Sequence, residues 1–126
     1  MSRRPVATDE APAAIGTYSQ AVEVDGMVFL SGQIPLHPAT MEMEEGDMRA
    51  QVERVLDNLQ AVARASGGDL DRIVKLTVYL TDLGDFGTVN EVMADHFSEP
   101  YPARAAVQVA ALPKGARVEI DAILRL

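Results

Sequence analysis

Cysteine is absent from this chain of 126 residues. Its absence excludes disulfides, thiolate nucleophiles and cysteine-based metal sites, and it is typical of cytosolic proteins, so we expect a cytoplasmic location. Tryptophan is absent as well, and there are only three Phe and three Tyr. The core must therefore be built mainly from aliphatic side chains and alanine.

Long apolar runs and basic patches are also lacking. No segment approaches the roughly 18 apolar residues of a membrane helix, and the N-terminus lacks the apolar stretch of a signal peptide. The net charge of −8 argues against a nucleic-acid partner, because phosphate binding needs a basic face. His37 and His96 lie far apart in a chain without cysteine, so we expect no metal site.

We expect one domain over residues 1–126, since no internal repeat or linker divides the chain. Residues 18–24 and 27–34 alternate around Asp25-Gly26, which predicts a hairpin of two strands. Apolar residues at steps of three and four then predict a helix, with Asp47 as its N-cap and Gly67-Gly68 as its end.

The second half of the chain also contains segments with strand alternation and a segment with helical periodicity. A strand is predicted over 72–80, a shorter helix follows with Asp85 as candidate cap, and two last strands cover 103–110 and 116–124. The order is β-β-α-β-α-β-β, an α+β fold with two helices on one face of a sheet. The other face carries charges and small residues with a few aliphatics, which favours contact with a partner subunit.

Arg104 is a lone cation in a segment that otherwise has the pattern of a half-buried strand. Arginine does not lose its charge by deprotonation, so its removal from water requires an anion nearby. If the chain turns near Leu112-Pro113, the last two strands are neighbours and Ala106 lies opposite Glu119. Arg104 and Glu119 then belong to one small neighbourhood.

Two interpretations of this pair stay open on spacing alone. One is an ordinary cross-strand ion pair on a solvated sheet face, worth less than about 1 kcal/mol. The other gives the residues different tasks: Arg104 binds a ligand carboxylate bidentately, and Glu119 holds a water molecule and exchanges a proton with it. A buried Glu119 should then have a raised pKa, which suits a proton donor near neutral pH.

The order of short motifs along nearly the whole chain resembles the RidA (YjgF) family of enamine/imine deaminases. The motifs are Ala-Pro-Ala-Ala-Ile-Gly-Thr-Tyr-Ser-Gln-Ala over 11–21, Ser-Gly-Gln-Ile-Pro over 31–35, Val-Lys-Leu-Thr-Val-Tyr-Leu-Thr-Asp-Leu over 74–83, Phe86 with Val89-Asn90, Tyr-Pro-Ala-Arg-Ala over 101–105, and Leu-Pro-Lys-Gly-Ala-Arg-Val-Glu-Ile over 112–120. The resemblance implies a chorismate-mutase-like fold and a homotrimer whose active sites lie in clefts between subunits.

The resemblance also implies roles for individual residues. Arg104 would bind the substrate carboxylate, and Glu119 would position the hydrolytic water. Four further contacts are implied for the substrate: the Tyr18 side chain, the Ser31-Gly32 backbone, Asn90 on the second helix and the backbone of Ala106. Family members often have cysteine where this chain has Ala106, and its segment 97–102 at the cleft mouth is shorter than in many relatives.

The function implied is hydrolysis of 2-enamino or 2-imino acids, such as 2-aminoacrylate, to 2-keto acids and ammonia. No cofactor is expected, because the imine is already electrophilic and needs mainly positioning and a proton path. Two other classes stay open: a trimeric sensor that binds small keto acids through the same arginine, and a chaperone-like interaction protein. Ribonuclease activity, associated with relatives, is the least favoured because the chain lacks a basic stripe.

Overall fold

The computed structural model describes residues 2–126, which form a six-stranded sheet and two long helices. The elements in chain order are β1 (Arg4–Val6), β2 (Ala21–Val24), β3 (Met27–Gln33), α1 (Met48–Ala65), β4 (Ile73–Leu80), α2 (Phe86–His96), β5 (Ala103–Gln108) and β6 (Val118–Arg125). The predicted α+β class is confirmed. Strand β1 is an addition to the predicted order, and at three residues it is too short for alternation to reveal it.

The first predicted turn and the first helix form as their local chemistry requires. Asp25 and Gly26 have φ of 53° and 79°, the two left-handed residues of a type I′ hairpin turn between β2 and β3. Asp47 caps α1 by accepting a hydrogen bond from the Ala50 amide at 2.9 Å. The helix ends at Ala65, and Gly67 shortly beyond it has a φ of 101°, which is easily reached without a side chain.

The cap predicted for the second helix is only partly correct. Asp85 occupies the position before α2, but its side chain makes no capping hydrogen bond. Its carboxylate instead accepts a hydrogen bond from Arg117 Nη2 at 3.0 Å, which links α2 to the start of β6. The Asp85 carboxylate therefore pairs with Arg117 and not with the amides at the start of α2.

The strand order in the sheet is β1-β2-β3-β6-β4-β5. The prediction that the last two strands are neighbours is wrong, because β4 lies between them. Strand β5 follows β4 through the crossover helix α2 and pairs with it in parallel, whereas β6 pairs antiparallel with both β3 and β4. Strand β5 is therefore at the edge of the sheet.

The two helices cover one face of the sheet, and the core lies between them and this face. The buried apolar stripe of α1 packs on strand residues that are fully buried; the stripe is Met48, Val52, Val55, Leu56, Leu59, Val62 and Ala63. Within residues 2–126, neither helix combines the length and apolarity needed to span a bilayer. The opposite face, here called the open face, presents Phe29, Tyr79, Val107, Glu119, Asp121 and Ile123.

Candidate active site

Arg104 projects from the edge strand β5 toward helix α2. Its guanidinium Nη1 donates to Asn90 Oδ1 at 2.9 Å and approaches Met93 Sδ at 3.9 Å. The guanidinium carbon lies 4.7 Å from the centre of the Phe86 ring, a distance suited to a cation–π interaction. Three residues of α2 therefore hold the cation in one place.

No carboxylate among residues 2–126 forms a salt bridge with Arg104. Its side-chain hydrogen bonds in this part of the chain all come from Nη1, which leaves Nε and Nη2 for another acceptor. A guanidinium presents its donors in a planar fork that matches a carboxylate. The arrangement can therefore bind an anion that the described chain does not supply.

The cavity beside Arg104 has a volume of about 320 Å³. We call it the arginine cleft, and it is lined by Asn90, Met93, Ala94, Phe97, Tyr101, Pro102 and Arg104. The exposed side chain of Tyr101 forms part of its rim. Aromatic and apolar walls around one cation favour a small carboxylate with an apolar body.

Glu119 lies on β6 in a second and larger cavity of about 460 Å³, the glutamate cleft. Its lining is mostly apolar and consists of Pro12, Ala13, Ile15, Tyr18, Ser31, Gly32, Gln33, Ile34, Leu36, Met41, Pro113, Lys114 and Glu119. The residues come from the N-terminal segment, the end of β3, the loop after it and the turn before β6. The cleft therefore depends on segments that are distant in sequence.

The Glu119 carboxyl is half-buried and lies against the backbone of Gly32. Partial burial raises the pKa of the Glu119 carboxyl above its ordinary value of 4.5, and the nearby charge of Asp121 raises it further. No salt bridge or side-chain hydrogen bond satisfies this carboxyl within the described chain. It can therefore hold a water molecule and exchange a proton with it.

Tyr18 and Ser31, two of the predicted substrate contacts, both line the glutamate cleft. The Tyr18 side chain is exposed, and its hydroxyl accepts a long hydrogen bond from the Ile15 amide at 3.5 Å. The Ser31 hydroxyl donates to the Ser19 carbonyl at 2.6 Å, and its amide donates to the Gln20 carbonyl at 3.0 Å. Ser31 thus fixes the segment that carries Tyr18, and Tyr18 is free to contact a ligand.

Asn90 and Ala106 accompany Arg104. Asn90 lines the arginine cleft and orients the guanidinium through its side-chain oxygen. Ala106 lies two residues beyond Arg104 on the same face of β5, partly buried against the core, and it lines neither cleft. Its predicted role as a backbone contact stays a prediction.

Arg104 and Glu119 do not share a neighbourhood within one chain, contrary to the sequence prediction. Leu76 of β4 is fully buried under the helices and pairs with Arg104, so the arginine belongs to the helix-covered side. Glu119 pairs with Tyr79 on the open face. Strand β4 separates their strands by about 10 Å, which excludes the cross-strand ion pair.

Sequence reasoning missed Gln20, which holds Pro12, one of the residues that line the glutamate cleft. Its side chain accepts from the Thr8 amide at 2.7 Å and donates to the Pro12 carbonyl at 2.7 Å. It is buried, so these bonds fix the N-terminal segment against the sheet. A glutamine at the start of an apolar strand was the available signal.

A second missed residue is Asn58, on the inner side of α1. It is fully buried, and its Nδ2 donates to the Leu36 carbonyl at 2.9 Å. This bond holds the loop after β3, which brings Leu36 and Met41 to the glutamate cleft. A polar residue in the middle of an apolar helical stripe was the signal for this contact.

The chain resembles known proteins over almost its full length. A family model described as Endoribonuclease L-PSP matches residues 8–125. The chain belongs to the RidA (YjgF) family. Protein DfrA of Myxococcus xanthus is 61% identical, with 98% of this chain and 95% of that protein covered. The mouse 2-iminobutanoate/2-iminopropanoate deaminase is 49% identical, with 96% of this chain and 90% of the mouse protein covered.

The fold comparison agrees with this assignment. The crystal structure of RidA from an Antarctic Psychrobacter species has a TM-score of 0.94 and 56% identity, and the match covers 98% of this chain and 99% of that one. The relatives carry different functional names, so membership in the RidA family establishes the fold but not the activity of this chain.

Proposed function

We propose that this protein hydrolyses 2-enamino and 2-imino acids, such as 2-aminoacrylate and 2-iminopropanoate, to 2-keto acids and ammonia. The observation that carries the proposal is Arg104, held by Asn90 and Phe86 with two donor nitrogens free for a carboxylate. Relatives named 2-iminobutanoate/2-iminopropanoate deaminase, such as the mouse protein, support this reaction class.

The proposed active site requires two copies of the chain, because Arg104 and Glu119 lie on opposite faces of one sheet. In a homotrimer, the arginine cleft of one subunit would meet the glutamate cleft of the next. The open face supports such an assembly, since Phe29 and Val107 are 46% and 41% exposed there. Apolar side chains of this size on a sheet face favour burial against another subunit.

In this arrangement Arg104 fixes the carboxylate of the substrate and thereby places the imine carbon beside Glu119. Water held by Glu119 attacks the imine carbon, the C=N π electrons move to nitrogen, and nitrogen takes up a proton. The resulting carbinolamine loses ammonia as its C–N bond breaks, and its hydroxyl loses a proton to give the ketone. A carboxyl with a raised pKa can deliver and recover a proton in these steps near neutral pH.

The first test generates imino acids with an amino-acid oxidase in the presence of semicarbazide. The wild-type protein should suppress semicarbazone formation, and Arg104→Ala should lower kcat/KM by about 100-fold or more. This estimate follows from two charge-assisted hydrogen bonds of roughly 1.5–3 kcal/mol each. Arg104→Lys keeps the charge but not the fork, so it should fall between the two proteins.

Turnover by Arg104→Ala at the wild-type rate would exclude the carboxylate assignment. Lack of turnover by the wild type would overturn the enzyme proposal, and calorimetry with pyruvate or 2-ketobutyrate would then show whether the protein binds keto acids without converting them. Circular dichroism and gel filtration of both proteins exclude loss of fold as the cause.

A second test asks whether the site is shared between subunits. Arg104→Ala and Glu119→Gln chains with different tags are co-expressed, and the mixed oligomers are isolated through both tags. In a mixed trimer, one shared site takes its arginine from the Glu119→Gln chain and its glutamate from the Arg104→Ala chain, so roughly one site in three regains both residues. Absence of any recovered activity would contradict a shared site, since a site within one chain is never repaired by mixing.

A ribonuclease activity is not proposed, although the matching family model carries that description. The chain has a net charge of −8 and an isoelectric point near 4.6. RNA phosphates require a cluster of cations, and Arg104 has apolar and aromatic neighbours in its cleft instead.

A further inference from the structure

Three polar side chains are neighbours on the open face beside the glutamate cleft, namely those of Tyr79, Glu119 and Asp121. Glu119 and Asp121 project from β6 on the same face, because they are two residues apart in a strand. Tyr79 of β4 pairs in register with Glu119, and Thr77 pairs with Asp121. Asp121 and Tyr79 take no part in the proposed hydrolysis.

The Tyr79 hydroxyl does not hydrogen-bond to Glu119, the residue that Tyr79 faces on β6. It reaches diagonally along the sheet and donates to Asp121 Oδ2 at 3.0 Å. This hydrogen bond fixes the position of the Asp121 carboxylate on the open face. Within the described chain no side chain donates a hydrogen bond to Glu119, so its carboxyl lacks the partner that Asp121 has.

The charges around Glu119 favour its protonated form. The pKa of Glu119 is raised first by burial and then by the charge of Asp121. The pKa of Tyr79 is raised by its hydrogen bond to Asp121 and by burial, so its phenol stays a donor at neutral pH.

Within one described chain, the cations on either side of Glu119 form no salt bridge with it. Arg117, two residues before Glu119, is paired with Asp85 at 3.0 Å. Lys114 lines the glutamate cleft from the preceding turn. Asp121 is the charged neighbour that raises the pKa of the Glu119 carboxyl.

We propose that Asp121, fixed by the Tyr79 hydroxyl, is a positioning residue whose charge favours proton binding by Glu119, and that this proton is transferred to the leaving nitrogen. The inference rests on the proposed function, because it assigns a use to the proton on Glu119. Asp121 itself does not contact the substrate in this scheme. Its effect passes through the electrostatic field across one face of β6.

The test is a ¹³C NMR titration of the Glu119 carboxyl in carboxyl-labelled protein, with the signal assigned by its loss in Glu119→Gln. In Asp121→Asn, which keeps an acceptor for Tyr79 but not the charge, Glu119 should titrate at lower pH than in the wild type. Asp121→Glu should restore the wild-type midpoint. Asp71→Asn, at an exposed carboxylate on a distant turn, is the matched control and should change nothing.

An unchanged midpoint in folded Asp121→Asn would overturn the inference. Asp121→Ser provides the same comparison if the Asn variant does not fold. The pH profile of kcat/KM supplies the second readout, and its alkaline limb should move to lower pH in Asp121→Asn by the same amount as the NMR midpoint.

The two readouts separate this inference from the proposed function. The NMR titration needs no turnover, so it decides the effect of Asp121 on Glu119 even in an inactive protein. A midpoint that falls in Asp121→Asn while the wild type lacks deaminase activity would overturn the catalytic use of the proton and leave the coupling in place.

Discussion

Gly32 and Glu119 are in direct contact across strands β3 and β6, and this contact exists because Gly32 has no side chain. A β-carbon on Gly32 would lie 2.9 Å from the carboxyl carbon of Glu119 and 3.1 Å from its Cγ. Both distances are shorter than ordinary van der Waals contact. The absence of a side chain at Gly32 therefore allows the Glu119 carboxyl to occupy its position.

Gly32→Ala should accordingly impair catalysis more than stability. The atoms in the way belong to the flexible end of Glu119, so the carboxyl can move aside without disturbing the core. A displacement of about 1 Å in a catalytic group costs up to roughly 100-fold in rate, and we expect kcat to fall by about 10- to 100-fold. Imine hydrolysis and thermal unfolding measured together check this prediction.

Gly87→Ala is the matched control for this change. An added β-carbon at Gly87 on α2 meets nothing within 4 Å, so activity should stay at the wild-type level. Equal kcat values for Gly32→Ala and wild type would show that the Glu119 position is unimportant.

Phe86→Leu tests the support of Arg104 without touching the arginine itself. Leucine fills most of the volume of the ring but removes the cation–π interaction that the 4.7 Å separation indicates. At about 0.5–2 kcal/mol, this loss predicts a fall in kcat/KM of roughly 2- to 30-fold. Phe86→Tyr keeps the aromatic ring and should retain nearly full activity. Equal activity of the Leu and Tyr variants would mean that the ring acts only as a spacer.

The sequence predicted the features that depend on neighbouring residues in the chain. The apolar stripe of α1, its Asp47 cap and the Asp25-Gly26 turn each follow from local periodicity or backbone preference, and all three occur in the structure. The positions of Arg104 and Glu119 on strands were found in the same way.

The features that depend on pairing between distant strands were not accessible in this way. Strands β5 and β6 follow each other in sequence, which favoured pairing between them, but α2 makes β5 a parallel partner of β4. Alternation fixes which side of its own strand a residue occupies and contains no information on the neighbouring strand. Arg104 and Glu119 were therefore placed together, although they lie on opposite faces.

Met41 should influence which imino acid the protein prefers. It lines the glutamate cleft from the loop after β3, and a substrate whose imine carbon lies beside Glu119 could place its side chain against it. Met41→Ala removes several methylene-sized groups, and one such group is worth about tenfold or more in discrimination. The ratio of kcat/KM for the imino acid from phenylalanine to that from alanine should rise about tenfold.

Met43→Ala provides the control, because Met43 lies in the same loop but does not line the cleft. Both variants remove the same atoms from a partly buried methionine. A ratio that changes equally in the two variants would assign the effect to the loop as a whole and not to the cleft wall.

Glu119→Gln should stabilise the fold relative to the wild type, and the difference should grow as pH rises. The folded-state pKa of Glu119 is raised, so the folded protein holds the proton more tightly than the unfolded chain. The stability that this proton provides is fully present below the ordinary value of 4.5 and is lost as pH rises through the folded-state pKa. Glutamine stays neutral throughout and avoids this loss.

The difference in Tm between Glu119→Gln and wild type should therefore be near zero at pH 4 and positive at pH 8, measured by scanning calorimetry at equal protein concentration. Glu91→Gln, at an exposed position on α2, removes one negative charge elsewhere and should give a difference that does not grow in this way. A Tm difference that is constant from pH 4 to pH 8 would mean that the Glu119 carboxyl titrates alike in the folded and unfolded chains. The half-buried carboxyl would then have no special proton affinity to contribute to catalysis, whatever its distance from the substrate.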